Sequence, residues 1–157
     1  MASVDYTGRS VDLLTFQGVA ELGKNEIVPA WGDVGYLCTG VQKVVQTWTV
    51  LFLTERSTVL NDPGRGTDFL QAVRSGRIQV EEDVPAEFSM AADRVSRLMD
   101  QDAANAGDLP DDERLDSAAL LEYRIDRIAS YLYLKIRILT IAGEERTIFL
   151  PVSTAIR

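Results

Sequence analysis

The feature that most constrains the fold is a two-residue alternation in residues 131–141. Apolar side chains fall on one side of this segment and polar or aromatic ones on the other: Leu132, Leu134, Ile136 and Ile138 against Tyr133, Lys135 and Arg137. Such alternation predicts a β-strand with one buried face. Residues 121–126 alternate in the same way, and residues 147–150 return after a hairpin turn at Gly143 and end before Pro151. The pattern predicts three antiparallel strands whose apolar face needs a cover.

Two amphipathic helices are predicted to supply that cover. In residues 37–53 the apolar side chains recur with helical spacing, at Val41, Val44, Val45, Trp48, Leu51 and Phe52. The many β-branched residues there favour a strand, but the helical period is the stronger signal. A second helix is predicted from about Val84 to Asn105, with Asp83 as its N-cap, Pro85 at its first helical position and Gly107 after its end. A short helix is predicted between them, from Asp68 to Gly76, capped by Thr67 or Gly66. The predicted class is α+β.

The first 36 residues form a separate prediction, an extended N-terminal arm before a single α+β domain at residues 37–157. A short strand is predicted at residues 11–16, and glycines and a proline interrupt regular structure after it. Trp31 and Tyr36 suit two roles equally, either anchoring the arm on the core or contacting a neighbouring chain.

The charge distribution argues against nucleic acid as a partner. The 157 residues carry a net charge of −8, and residues 81–116 hold twelve acidic residues against three arginines. An anionic surface repels phosphate backbones, so the acidic block indicates either a solvated face or a surface for a basic partner. No apolar run is long enough to span a membrane. The first ten residues lack the pattern of a signal peptide, so we expect assembly in a cytoplasm.

Residue types limit the chemistry further. The chain has no histidine and one cysteine, Cys38, which we expect to be a small buried residue. Histidine-based triads, Cys–His pairs and imidazole metal sites are therefore excluded. The acids Glu113 and Asp116 have a spacing that a glycosidase pair tolerates. However, Asp111, Asp112 and Glu113 follow a Gly/Pro-containing loop and should be solvated, and a solvated acid is not fit for proton donation. We predict no catalytic residue, no cofactor and no metal.

The stretch between the first two predicted helices admits two interpretations. Gly64, Arg65 and Gly66 before a helix are compatible with a phosphate cradle, but the spacing and lysine of a P-loop are missing, and a helix precedes where a dinucleotide site needs a strand. A tight turn with glycine at positive φ is the favoured interpretation. Within this turn, Arg56 and Arg65 are predicted to be free to meet a partner.

Two short motifs carry a family resemblance. Thr54, Pro63, Gly66 and Asp68 lie between the two helices at places that match a recurring phrase, in which Ser57 replaces a usual glycine. Glu113 and Arg114 open the terminal β-region, where the family has a Glu-Pro-Arg triplet; the proline is missing here. Over roughly residues 40–152 the chain resembles the baseplate wedge and sheath-initiator proteins of contractile phage tails and related injection systems.

The resemblance implies a non-enzymatic structural role. Such a protein would sit in the virion tail baseplate, in several copies around the tail axis. It would contact baseplate wedge proteins, tail sheath subunits, and tube or hub proteins, and would template sheath assembly by β-augmentation. The resemblance assigns docking on the wedge's helical bundle to Glu113 and Arg114. Strand exchange is expected at the N-terminal arm and the last strand, through Val11, Leu13, Phe16 and Val152. The alternative is a carboxylate-dependent cell-wall glycan hydrolase of the baseplate.

Overall fold

The computed structural model describes residues 9–14, 16–18, 27–29 and 37–155, the six residues of the two middle stretches by their backbone only. Four short strands come first: β1 (Asp12–Leu13), β2 (Phe16–Gly18), β3 (Ile27–Pro29) and β4 (Leu37–Cys38). Three helices follow: α1 (Gly40–Leu53), α2 (Phe69–Arg74) and α3 (Val84–Ala106). Three long strands end the chain: β5 (Leu115–Asp126), β6 (Tyr131–Thr140) and β7 (Glu145–Ser153). Single 3-10 turns at Glu81–Asp83 and Asp111–Glu113 lead into α3 and β5.

The predicted α+β class is confirmed. The long strands form an antiparallel sheet in the order β5-β6-β7, so β6 is central. Its alternating apolar side chains are the buried ones, with Ile136 and Ile138 wholly inaccessible to solvent. Pairs such as Leu132 with Val152 and Leu134 with Leu150 continue the apolar face across β7. The period-two pattern therefore identified both the strand and its buried side.

The helices close the core over this face. From α1, Trp48 and Phe52 are fully buried, with ring centroids 4.7 Å apart in a stacked arrangement. Phe88 of α3 and Phe69 of α2 contact the Phe52 ring with centroid distances of 5.5 and 4.6 Å. This aromatic cluster and the sheet residues belong to one continuous hydrophobic core. The helical spacing of the apolar residues is thus explained by burial against the sheet.

Three predicted boundaries differ from the structure. β5 begins at Leu115, six residues earlier than its alternation predicts, because pairing with β6 holds it through two register shifts. β7 extends through Pro151 to Ser153. A proline is tolerated there because, among the described strands, β7 pairs with β6 only, and a missing N–H that points away from β6 removes no ladder hydrogen bond. Pro85 is the second residue of α3, not the first.

The start of α3 is built differently from a standard cap. Asp83 is the N-cap residue as predicted, but its side chain does not cap the helix. Its carboxylate accepts hydrogen bonds from the backbone N–H groups of Gln79 and Val80, at 2.9 and 3.1 Å. These two bonds lower the pKa of Asp83. The carboxylate therefore stabilises the turn before the helix.

The structure describes only part of the predicted N-terminal arm, residues 9–14, 16–18 and 27–29. Two antiparallel ribbons are described, β1 with β4 and β2 with β3, so the strand predicted at residues 11–16 is divided between β1 and β2. Trp31, Tyr36 and the side chain of Phe16 lie outside the described residues. The described part of the arm nearest the domain is residues 9–14, which we call the arm segment.

Candidate strand-docking site

The arm segment lies against a site on its own domain. Its backbone pairs with β4, with Asp12 opposite Cys38 and Leu13 opposite Leu37. The remaining contacts come from two residues of α1, Lys43 and Gln46, and two of the 3-10 turn, Asp112 and Glu113. We call these four residues together with β4 the docking site. It joins parts of the chain about a hundred residues apart, which no local sequence pattern encodes.

The 3-10 turn binds the first two residues of the arm segment. The backbone N–H of Ser10 donates to Oε2 of Glu113 at 3.2 Å. Lys43 donates to the Ser10 hydroxyl and lies 3.6 Å from the same Glu113 oxygen. Arg9 pairs with Asp112 at 2.6 Å, and the hydrogen bond and charge of Asp112 raise the pKa of the Arg9 guanidinium. One end of the segment is therefore held by charge-assisted contacts.

Gln46 binds the other end of the arm segment. Its side-chain amide donates to the Leu13 carbonyl at 2.8 Å and to the Asp12 carboxylate at 3.3 Å. Gln46 is buried, and so is Leu14. In contrast, Val11 is 39% exposed and Leu13 is 60% exposed, as is Leu37 beside it at 50%. The site thus recognises the segment through its backbone, its polar groups and Leu14, and leaves Val11 and Leu13 on the surface.

Glu113 differs most from its predicted environment. Its side chain is completely buried, whereas that of Asp111 in the same turn is 64% exposed. The prediction of a solvated turn is therefore wrong for Glu113 and right for Asp111. Oε1 of Glu113 finds no hydrogen-bond partner among the described residues, a costly arrangement for a buried acceptor. Since the arm segment occupies Oε2, the carboxylate is not presented to a partner in this conformation.

Burial also explains the only cysteine. Cys38 lies in β4, directly before α1, and only 2% of it is exposed, as its predicted role as a small buried residue requires. Desolvation is the main reason that the pKa of its thiol is raised. The thiol therefore serves packing beneath the arm segment.

Each of the remaining predicted docking residues forms an ion pair within the chain; Arg56 and Arg114 are exposed and Arg65 is half-buried. Arg56 pairs with Asp68 at 2.9 Å, and Arg65 makes a two-pronged contact with Asp102 at 2.7 and 3.2 Å. The expectation that both arginines lack a partner within the chain is wrong. The connection between α1 and α2, residues 54–68, which we call the corner, folds against α2 and α3. Arg114 is 47% exposed and lies 3.6 Å from Asp111.

The corner between α1 and α2 is a turn that uses its own polar groups. The N–H groups of Arg65 and Thr67 donate to the carbonyls of Asp62 and Thr54. Gly66 has φ +91°, and a Cβ there would lie 2.3 Å from the Thr54 carbonyl oxygen. Ser57 also has a positive φ, +67°, a conformation that glycine adopts more readily. These features support the tight-turn interpretation over a phosphate cradle.

A residue that the sequence did not single out completes the corner. Arg94 of α3 donates from Nε to the Gly66 carbonyl at 2.8 Å and from its other end to the Gly64 carbonyl. The Thr67 hydroxyl, fully buried, donates to the Phe52 carbonyl at 2.7 Å and accepts the N–H of Phe69 at 3.3 Å. The predicted capping role of Thr67 is therefore partly realised, with Asp68 at the N-cap position.

The sheet offers two further surfaces. β5 and β7 are its outer strands, each paired on one side within the described residues. Val152, predicted to exchange, is 4% exposed and packs in the core opposite Leu132, so its side chain is not available. The outer face carries rings beside cations: Arg124 lies 5.4 Å from the Tyr133 ring centroid, and Lys135 5.8 Å from that of Phe149.

A cleft of about 230 Å³ opens beside the docking site. It lies between α1 and the C-terminal half of α3, and its lining includes Val44, Thr47, Met99, Asp100, Asp102 and Glu113. Asp102 is bound by Arg65, and Glu113 by Ser10 and Lys43. Over the described ranges, no cluster of three or more acidic or cysteine side chains has a geometry suited to a metal ion.

The chain was compared with protein-family models, curated proteins and solved structures. No protein-family model, no curated protein and no solved structure matches the chain. Within the described part of the chain, none of the helices has the length and apolar character needed to cross a membrane.

Proposed function

We propose that this chain is a structural assembly protein of a contractile tail baseplate, which links the wedge to the first sheath ring and templates sheath assembly by strand exchange. The observation that carries the proposal is the docking site, because it binds a short extended segment as an added strand. A domain that already recognises such a segment through backbone and polar contacts has the chemistry that β-augmentation requires.

The sheet supports the same role. A three-stranded sheet exposes the outer edges of β5 and β7, and such edges invite pairing with another chain. Tyr131 is exposed, and so is Phe149 beside Lys135; both are of the aromatic residue types that are enriched in protein interfaces. The tail assignment itself rests on the resemblance of the corner at Thr54, Gly66 and Asp68 and of the Glu113–Arg114 motif. The proposed partners are wedge proteins, sheath subunits, and tube or hub proteins, in several copies in the virion baseplate.

Co-expression with wedge and sheath subunits tests the proposal. We expect the full chain to co-purify with at least one of them, and failure with both would reject the tail assignment.

Arg114→Glu tests the Glu113–Arg114 motif, because Arg114 is exposed while Glu113 is not. We expect its capture by wedge proteins to fall by about tenfold if it makes one charge-assisted contact across the interface. Arg74→Glu is the matched control, since Arg74 is also an exposed, ion-paired arginine.

A glycan hydrolase is the second candidate, and one observation favours it. Glu113 is buried and lines the cleft together with Asp100, which is the kind of site a general acid needs. Its occupation by Ser10 and Lys43 weighs against this role. A peptidoglycan clearing assay separates the two functions: we expect no clearing, whereas clearing that Glu113→Gln abolishes would replace the assembly proposal.

A further inference from the structure

We infer that the docking site is also filled by the arm segment of a second copy of this chain, so that copies join by exchanging residues 9–14. We infer a second copy as the source of the segment because the contacts of the docking site match residues 9–14 of this chain. The site contacts three side chains of the segment, through Asp112 to Arg9, Lys43 to the Ser10 hydroxyl and Gln46 to the Asp12 carboxylate, and these match this chain's own sequence. A second copy supplies the same six residues and would make the same contacts.

The length of the connection permits the exchange. Residues 15–36 separate Leu14 from Leu37, and β2 pairs with β3 inside that interval. With that ribbon kept closed, Phe16 stays beside Pro29, and about ten residue steps remain between the arm segment and β4. At about 3.3–3.6 Å per residue, these steps reach at most roughly 35 Å, enough to enter the docking site of a copy in contact.

Exchange between copies costs little free energy, because the same contacts form in both states. Every hydrogen bond and ion pair of the docking site is kept when the segment comes from a neighbour, so only the connection and the cost of association differ. The ladder to be opened is short, because β1 has two residues. Two copies that exchange segments reciprocally form a closed dimer, whereas segments passed from each copy to the next make a heterologous contact that forms a ring when the rotation closes.

This inference rests on the proposed strand exchange, and its test uses purified protein alone. Two singly substituted copies are made in a Cys38→Ala background, one with Leu13→Cys and the other with Leu37→Cys. These positions face each other in the β1–β4 ladder, and both are largely exposed. Opposed residues in an antiparallel pair have Cα atoms about 4.5–5.5 Å apart, which a disulfide spans. The copies carry different tags, are mixed over a wide concentration range and are oxidised with diamide.

Exchange predicts a mixed disulfide between the two tags that increases with protein concentration and exceeds both same-tag dimers. The matched control mixes Lys135→Cys with Phe149→Cys copies, because that pair also lies opposite across a ladder but belongs to one hairpin. A mixed disulfide no more abundant than in this control overturns the inference. Arg9→Glu in the Leu37→Cys copy weakens only that copy's own arm segment, because its residue 9 then meets Asp112 with like charge, so the yield should rise about tenfold, the equivalent of one lost charge-assisted contact. An unchanged yield also counts against the docking site as the receptor.

The two proposals fail separately. Absence of the mixed disulfide with normal capture of wedge or sheath subunits rejects exchange between copies and keeps the assembly role. A concentration-dependent mixed disulfide without capture of either partner rejects the tail assignment and keeps the exchange.

Discussion

Strands β6 and β1 are bound to the same domain by different forces. β6 pairs on both sides over ten residues and buries its inner face almost completely. β1 has two residues, pairs on one side and leaves Leu13 more than half exposed. Burying one large apolar side chain contributes about 1.5–3 kcal/mol, while one net hydrogen bond contributes about 0.5–1.5 kcal/mol. We therefore expect β6 to open only with global unfolding and β1 to open locally.

The largest expected effect comes from the β6 side of this comparison. Ile136→Ala removes a fully buried side chain between the helices and the sheet, so we expect a loss of about 2–5 kcal/mol in the free energy of unfolding. Urea denaturation followed by far-UV circular dichroism measures it. Arg137→Ala is the control, because the next side chain in the strand points outward and its loss should cost less than about 0.5 kcal/mol. Equal losses for the two variants would contradict the assigned buried face.

The second effect concerns the corner that joins the two main helices. Gly66→Ala places a methyl group 2.3 Å from the Thr54 carbonyl oxygen in addition to a strained φ. Gly143→Ala has a similar φ of +81° but nothing within 4 Å of the new Cβ. We expect about 1 kcal/mol of destabilisation for Gly143→Ala and roughly 2–4 kcal/mol for Gly66→Ala in thermal or urea unfolding. Similar values for both would show that the close approach at Gly66 relaxes freely.

The third expected effect concerns the contacts that hold β1 and the rest of the arm segment on the docking site. Lys43→Ala removes both the contact to the Ser10 hydroxyl and the cation nearest Glu113, which leaves a buried carboxylate without its countercharge. Release of the arm segment would let water reach that carboxylate, so the penalty is limited to about the cost of local opening, roughly 1–2 kcal/mol.

Hydrogen exchange measures this local effect directly. We expect amides of residues 10–14 to exchange about tenfold faster in Lys43→Ala, with β6 amides little changed. Lys135→Ala is the matched control, since it loses an ion pair to Glu122 on the outer face of the sheet. Faster exchange throughout β6 in Lys43→Ala would show that the arm segment is part of the cooperative core.

The same contrast explains how far the sequence predicts the structure. The alternation in β6 and the helical spacing in α1 record burial by neighbours along one element, so they identified the strand, the helices and their buried sides. Contacts in β5 depend instead on its partner: Ser117, Ala118 and Ala119 carry no clear alternation, yet they pair with β6. The continuation of β7 through Pro151 was missed because proline is unfavourable only where its N–H is needed.

The candidate site was less predictable for a related reason. From the sequence, Glu113 and Lys43 are predicted to lie on the surface, because a carboxylate after a proline-containing loop and a lysine on a helix usually face water. Both contact the arm segment at Ser10, which is 103 residues away from Glu113 along the chain. Arg94 reaches Gly66 over a similarly unpatterned separation. Periodicity reports the face of an element and not which distant polar groups meet there.

The smallest expected effect concerns the arginines of the corner. Arg56 and Asp68 form a single exposed contact, whereas Arg65 and Asp102 form a two-pronged one whose arginine is more shielded. In double-mutant cycles with alanine, we expect a coupling of less than about 0.5 kcal/mol for the first pair and about 0.5–1 kcal/mol for the second. Both couplings should weaken at high salt. Because removing Arg56 hardly affects the fold, loss of partner capture in Arg56→Ala would identify an interface contact, whereas the same loss in Arg65→Ala would also reflect the corner's packing on α3.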